Sequence, residues 1–170
     1  MSDGLKTFSG SVHVLANGKL AIWGGDGSGA IPDASVVDVA GLLSLYGRSE
    51  TIGGLTGSGI VQGDNGAVLT VANGTDETFS GTLRNNPSEA GPFALTKTGS
   101  GTLTLSGNNN YTGATVIDGG NLVIQTGLNY AVPSTSGYAL GNNSKLTFYS
   151  TNNPILDKAI TGNGDLSIDG

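Results

Sequence analysis

The sequence predicts an all-β fold, a parallel β-helix (solenoid) of about eight coils of about 21 residues each. Three observations carry this expectation. A Gly-x-Leu unit recurs along the chain, apolar residues alternate around each unit, and a glycine-rich, charge-poor composition comes with no helical periodicity.

The unit stands at Gly18-Lys19-Leu20, Gly41-Leu42-Leu43, Gly59-Ile60-Val61, Gly81-Thr82-Leu83, Gly101-Thr102-Leu103, Gly120-Asn121-Leu122 and Gly164-Asp165-Leu166. Ser144-Lys145-Leu146 is an eighth copy with Ser in place of Gly. The apolar anchors Leu20, Leu43, Val61, Leu83, Leu103, Leu122, Leu146 and Leu166 recur with a mean step of about 21 residues. The Gly-x-Gly triplets that begin at Gly57, Gly99 and Gly162 are separated by two and then three times that period. The anchors are therefore expected to stack as one structural ladder. Gly18, Gly41, Gly59, Gly81, Gly101, Gly120 and Gly164 are expected to be its turn glycines.

Around the anchors, Leu20/Ile22, Leu43/Leu45, Leu103/Leu105, Leu146/Phe148 and Leu166/Ile168 place apolar groups two apart, the period of a strand with one buried face. A second apolar cluster precedes most anchors, at Val12 and Val14, Val36 and Val39, Ile52 and Leu55, and Val116 and Ile117. Each unit thus reads as two or three short strands joined by Gly, Asn, Ser and Asp turns. The most apolar stretch, Val36 to Tyr46, opens with Val-Val-Asp-Val, which favours strand over helix. A propeller blade needs about twice this repeat length, whereas a solenoid needs one coil per unit. A lone coil buries too few side chains to offset its own ordering, so coils must stack.

Composition narrows the function. The 170 residues include 30 Gly and no Cys; 12% are charged and 36% hydrophobic. Without Cys there are no disulfides and no thiolate metal sites or nucleophiles. The net charge is −6 and the seven Lys and Arg are scattered, so no nucleic-acid partner is expected. Residues 1–6 lack the apolar stretch of a signal peptide, and no run approaches the length of a membrane span. The end lacks the succession of alternating strands that a membrane barrel needs. Residues 1–170 accordingly read as a single segment of a longer chain, whose cut sheet edges invite edge-to-edge self-association.

Residues 95–122, LTKTGSGTLTLSGNNNYTGATVIDGGNL, strongly resemble the passenger-associated transport repeat of autotransporters, approximately LTKxGxGTLTLSGxNTYTGxTTIxxGTL. Residues 37–47 and 50–59 look like the coil that often precedes that repeat, and Leu69-Thr70-Val71 and residues 78–81 are similar to other passenger stretches. The resemblance implies a right-handed parallel β-helix. It implies export across the outer membrane of a Gram-negative bacterium with the help of a C-terminal β-barrel, followed by display at the cell surface or secretion. It also implies that the repeat serves transport and folding rather than catalysis.

Other candidate sites each have a plainer reading. His13 is the only histidine, so a catalytic triad would need it. The alternation Val12-His13-Val14 instead points it outward from a strand. Residues 24–29, Gly-Gly-Asp-Gly-Ser-Gly, are similar to calcium-binding β-roll repeats, but the motif occurs once and reads as a turn. Asp64, Asp76 and Glu77 lie in another polar turn with the same weak calcium potential. Asp118, Asp165 and Asp169 invite comparison with polysaccharide hydrolases, yet no spacing selects a pair, so solvated turn charges are expected. Thr102 and Thr104 flank Leu103, but Lys19/Ala21, Leu42/Ser44 and Asn121/Val123 fill the matching places at other anchors, so no hydroxyl ladder of the ice-binding kind is expected. Asn108 to Asn110 are expected to satisfy turn backbone groups. Trp23, Tyr46, Tyr111, Tyr130, Tyr138 and Tyr149 suit either a glycan-stacking surface or core and turn packing, with packing favoured.

The expected function is structural. The chain is a β-helical passenger segment that supports export and folding and displays an adhesin or effector, with neither catalytic residues nor cofactor or metal. Its expected partners are the adjoining coils and the parent's barrel. A second reading makes the segment itself an adhesin surface for glycans or host proteins, using a side loop near residues 126–139. A third makes it the scaffold of a protease or toxin carried elsewhere in the parent.

Overall fold

A computed structural model describes residues 8–23, 29–126, 134–150 and 156–169. Within them the chain winds as a parallel β-solenoid. The first winding carries β1 (Val12–Val14) and β2 (Lys19–Ala21). The second carries β3 (Val36–Val39), β4 (Leu42–Ser44) and β5 (Glu50–Ile52), and the third β6 (Gly54–Gly57), β7 (Ile60–Gly63) and β8 (Val68–Val71). β9 (Glu77–Phe79), β10 (Thr82–Asn85) and β11 (Ala94–Lys97) follow. Later windings show two strands each: β12 (Thr102–Leu105) with β13 (Thr115–Ile117), β14 (Gly120–Thr126) with β15 (Tyr138–Leu140), and β16 (Ser144–Ser150) with β17 (Ile160–Gly162). β18 (Asp165–Asp169) closes the described chain.

These strands stack into three parallel sheets. The first, β1-β3-β6-β9-β12-β14-β16-β18, has eight strands; the second, β10-β7-β4-β2, has four; the third, β17-β15-β13-β11-β8-β5, has six. The first and last windings are partial, so the solenoid has about six turns of about 22 residues, fewer and slightly longer than the sequence repeat suggests. The core is the space between the sheets. Val37, Leu55, Leu103, Leu122 and Leu146 lie in one row of the first sheet, interrupted by Glu77 between Leu55 and Leu103, and Val39, Phe79, Leu105 and Phe148 lie in the row beside it; all these apolar residues are fully buried.

The eight anchors do not form one ladder. Leu20, Leu43, Val61 and Leu83 stack in the second sheet. Leu103, Leu122, Leu146 and Leu166 stack in the first. Leu103 lies opposite Glu77, not above Leu83. The physical reason is a long winding. The segment 86–93 bulges between β10 and β11, so the path from Glu77 round to its register partner Leu103 is longer than the windings on either side. The chain thus reaches the next Gly-x-Leu unit one side of the solenoid early, and a step from Leu83 to Leu103 close to the mean conceals the jump.

The turn glycines divide the same way. A Cβ on Gly41, Gly59 or Gly81 would overlap the carbonyl oxygen of Gly18, Gly41 or Gly59 respectively, and one on Gly107 would overlap that of Gly81. These carbonyls accept from the next coil: Leu42 N–H on Gly18 (2.9 Å), Ile60 N–H on Gly41 (2.8 Å) and Thr82 N–H on Gly59 (2.9 Å). Gly101, Gly120 and Gly164 belong to a different corner, where the chain enters the first sheet; Gly120 crowds Gly101, and Gly164 crowds Ser144. Both corners bring backbones too close for a side chain, so both select glycine. Of the Gly-x-Gly triplets, those beginning at Gly99 and Gly162 share a corner, and the one beginning at Gly57 does not.

Candidate functional site

The transport-repeat stretch opens on β11, where Lys97 interrupts an apolar row. Its register neighbours are Val71 below and Ile117 above. The side chain is fully buried. Its ammonium donates to the carbonyls of Thr98, of Gly99 (3.1 Å) and of Gly119 (3.3 Å), tying together the corner turns of two coils. Burial pushes the Lys97 ammonium below its usual range, and the charges of Glu77 and Asp76 oppose that shift.

Glu77 and Asp76 respond oppositely to their settings. Glu77 folds over Gly54 and accepts from Leu55 N–H (2.7 Å). Burial raises its carboxyl above the usual range, against that hydrogen bond and Lys97. Asp76 accepts from Thr102 N–H (2.8 Å), which lowers its carboxyl. Asn73, also buried, donates to the carbonyls of Thr75 (2.7 Å) and Thr102 (2.9 Å). Together these side chains lock the turn under the repeat to the repeat itself.

Where the second sheet would continue above β10, the repeat supplies Gly107 to Thr112 instead of a strand. The Asn109 side-chain oxygen accepts from Leu83 N–H (2.9 Å) while Asn110 N–H donates to Leu83 O (2.9 Å). Asn85 answers from below: its oxygen accepts from Phe93 N–H (3.0 Å) and Thr112 N–H (3.2 Å), and its amide donates to Thr112 Oγ1 (2.7 Å). Side-chain amides thus replace the missing backbone ladder. Beside them Tyr111 is fully buried, edge-to-face with Phe93 at 6.0 Å. Its hydroxyl meets Thr115 Oγ1 at 2.7 Å; Thr115 donates to Thr135 (3.1 Å), and Thr135 to Gly113 O (2.6 Å). Burial raises the Tyr111 phenol well above its usual range.

A second polar network lies within the second sheet. Gln62 donates to Ser44 (3.2 Å) and Asn86 (3.3 Å) and accepts from Arg84, while Asn86 donates to Asp64 (2.8 Å). Asp64, read from the sequence as part of a polar turn with weak calcium potential, is therefore a buried, hydrogen-bonded carboxylate. Among the described residues no cluster of three or more His, Asp or Glu stands ready to hold a metal ion. Glu50, likewise buried, accepts from Ala30 N–H (2.7 Å) and Ile31 N–H (3.2 Å).

His13 projects from β1 into solvent, 3.3 Å from Asp38 on the neighbouring strand. Asp118, Asp165 and Asp169 are exposed, at two different sheets. A hydroxyl row, not expected from the sequence, does exist in part: Thr56, Thr78, Thr104, Val123, Thr147 and Ser167 are register neighbours on the outside of the first sheet. Its flanking row through Thr102 continues as Asn121, Lys145 and Asp165, so paired hydroxyl rows do not form. The aromatics divide: Tyr111 and Tyr138 are buried, Tyr46 is half-buried, and Trp23 and Tyr149 are exposed. Gly24 to Ser28 of the calcium-like turn, and most of the side loop with Leu128, Tyr130, Val132 and Pro133, lie outside the described residues.

Asn109, expected to satisfy turn backbone groups, does so, whereas sequence reasoning missed Lys97, Asn85 and the Tyr111–Thr115–Thr135 chain. A signal was present for Lys97, since its place in Leu95-Thr96-Lys97 is one that alternation assigns to the core.

Comparison with known proteins agrees with this geometry. Residues 95–124 match the passenger-associated-transport-repeat family. The chain is also similar to the adhesin BmaC autotransporter of Brucella suis biovar 1 (strain 1330), 34% identical over 135 residues that make up 79% of this chain and 4% of the relative. It thus spans only a small part of the curated relative's length. No solved structure matches the chain significantly. The chain is therefore a β-solenoid passenger segment of the autotransporter kind, carrying a passenger-associated transport repeat at residues 95–124 and related to an adhesin autotransporter.

Proposed function

We propose that the segment is a rigid spacer of a Gram-negative cell-surface adhesin, one that helps draw its parent through the outer membrane and holds an adhesive surface away from the cell. The observation that carries this reading is the continuous register of the first sheet, in which each strand templates the next from Val12 to Leu166. A coil that folds outside the membrane gains a partner for its whole backbone, and that gain opposes backward movement. The transport repeat supports the reading because its buried Lys97 and Tyr111 fix one coil to its neighbours. A right-handed winding, the hand that crossovers between parallel strands take, belongs to the same proposal. The partners it implies are the adjoining coils and the parent's C-terminal barrel.

The test is secretion of the parent protein carrying Leu103→Asp or Leu122→Asp. Each change puts a carboxylate in place of a fully buried leucine. Passenger stalled in the periplasm is the expected result, and normal surface levels count against the proposal.

A further inference from the structure

Trp23 is 78% exposed, which is unusual for the largest side chain in an otherwise well-filled fold. It is not loose. Its ring stands edge-to-face on Tyr46, centroids 5.1 Å apart at 64°. The Tyr46 hydroxyl accepts from the Lys19 ammonium at 2.6 Å, and this hydrogen bond holds the phenol below its usual range. One bond engages one of the three protons on that ammonium and leaves two to serve a ligand.

The Tyr46 backbone adds a second, independent observation. Its φ is 37°, in the left-handed region that bulky residues avoid. The next coil makes its corresponding turn with Asn65 (φ 48°) and Gly66 (φ 79°), residue types suited to that conformation. A tyrosine thus stands where asparagine would fit more easily. Asp64, whose charge reaches Tyr46, is buried and bound to the amides of Asn65 (3.2 Å) and Asn86 (2.8 Å), so the outward-facing charge here is that of Lys19.

We propose that Trp23, Tyr46 and Lys19 form a platform for a glycan that bears a carboxylate, such as a uronic or sialic acid. The apolar face of the pyranose lies on the indole, and the carboxylate meets the Lys19 ammonium. In a chain of net charge −6, a cation held beside an exposed indole and a half-buried phenol ring is the feature that selects an acidic ligand. This inference deepens the adhesin-display reading and rests on it.

Trp23 is the only tryptophan, so the tryptophan emission of the 170-residue chain, excited where tyrosine does not absorb, reports on this site alone. The chain is titrated with oligogalacturonate and sialyllactose, and with chitotriose and lactose as neutral counterparts. A saturable change in emission with an acidic sugar and none with the neutral ones is expected. By calorimetry, W23A and Y46N are each expected to weaken binding about tenfold or more, and K19Q about fivefold. The unfolding midpoint of W23A should not move, because the indole is exposed. Absence of any response to the acidic sugars overturns the proposal, as do equal binding of neutral sugars and unchanged binding by W23A or Y46N. None of these outcomes bears on secretion, so the spacer reading stands or falls separately.

Discussion

Gly107 stacks directly on Gly81, close enough that a Cβ on Gly107 would overlap the Gly81 carbonyl oxygen. The winding between these two is the longest between stacked corners of this column. Gly107→Ala must push two backbones apart and is expected to cost about 2–3 kcal/mol. Gly74→Ala is the control, because a Cβ there meets nothing within 4 Å. It should leave stability unchanged or raise it by about 0.4–1 kcal/mol. Urea denaturation of the two variants checks both; equal effects would mean that the corner column is not a close contact.

Two buried tyrosines should behave differently on losing their hydroxyls. Tyr111 bonds Thr115, and removing its hydroxyl leaves a buried chain of threonines short of a partner. Tyr111→Phe is expected to destabilise by about 1–2 kcal/mol. The Tyr138 hydroxyl is buried with no hydrogen-bond partner among the described residues. Tyr138→Phe, which keeps the edge-to-face contact with Phe148 (5.6 Å), should be neutral or up to ~1 kcal/mol more stable. Thermal unfolding midpoints distinguish the pair.

Lys97 links stability to alkaline pH. Its folded pKa lies below the ordinary 10.5, so between those two values the unfolded chain binds the extra proton. Stability from this group therefore rises as pH climbs through that window and is lost as pH falls through the folded value. Lys97→Met removes the effect and leaves the carbonyls of Thr98, Gly99 and Gly119 without the ammonium, at a cost of about 1–3 kcal/mol near neutral pH. The stability gap between wild type and this variant should widen as pH approaches 10.5. A gap independent of pH would show that Lys97 is not desolvated.

Asp76 and Glu77 are neighbours with opposite acid limbs. The Asp76 carboxyl is depressed, so it stabilises above its unfolded value and loses that contribution as pH falls through the folded one. The Glu77 carboxyl is raised, so its contribution is full below the unfolded value of 4.5 and lost as pH rises through the folded one. Asp76→Asn should flatten the acid-induced loss of stability. Glu77→Gln, which keeps an oxygen for Leu55 N–H, should raise the unfolding midpoint at pH 7. Paired pH titrations of unfolding check both directions.

Strand identity was legible because alternation is a local property: Leu103 and Leu105, or Leu146 and Phe148, declare their inner face within one short stretch. Side assignment was not legible. Gly81-Thr82-Leu83 and Gly101-Thr102-Leu103 are chemically the same corner followed by the same kind of strand, yet they open different sheets. Only the winding length between them separates the two, and the bulge over 86–93 alters that length. The same error of register hid the hydroxyl row through Thr104. Much of the repeat's buried polar chemistry was illegible for another reason. Asn109, Asn85 and Thr135 act on backbone groups of adjacent coils, a full winding away along the chain, and no sequence spacing announces such partners.

The join between β10 and the repeat gives the rod a crease. Within the three sheets, coils hold each other through rows of backbone hydrogen bonds that share tension along a whole strand. At the top of β10, one backbone bond, Asn110 N–H to Leu83 O, and separate amides from Asn109 and Asn85 carry the junction. Pulled by an attached ligand while anchored at the cell, the segment should first open there, at Leu83 and Asn109, and so yield before its continuous first sheet does.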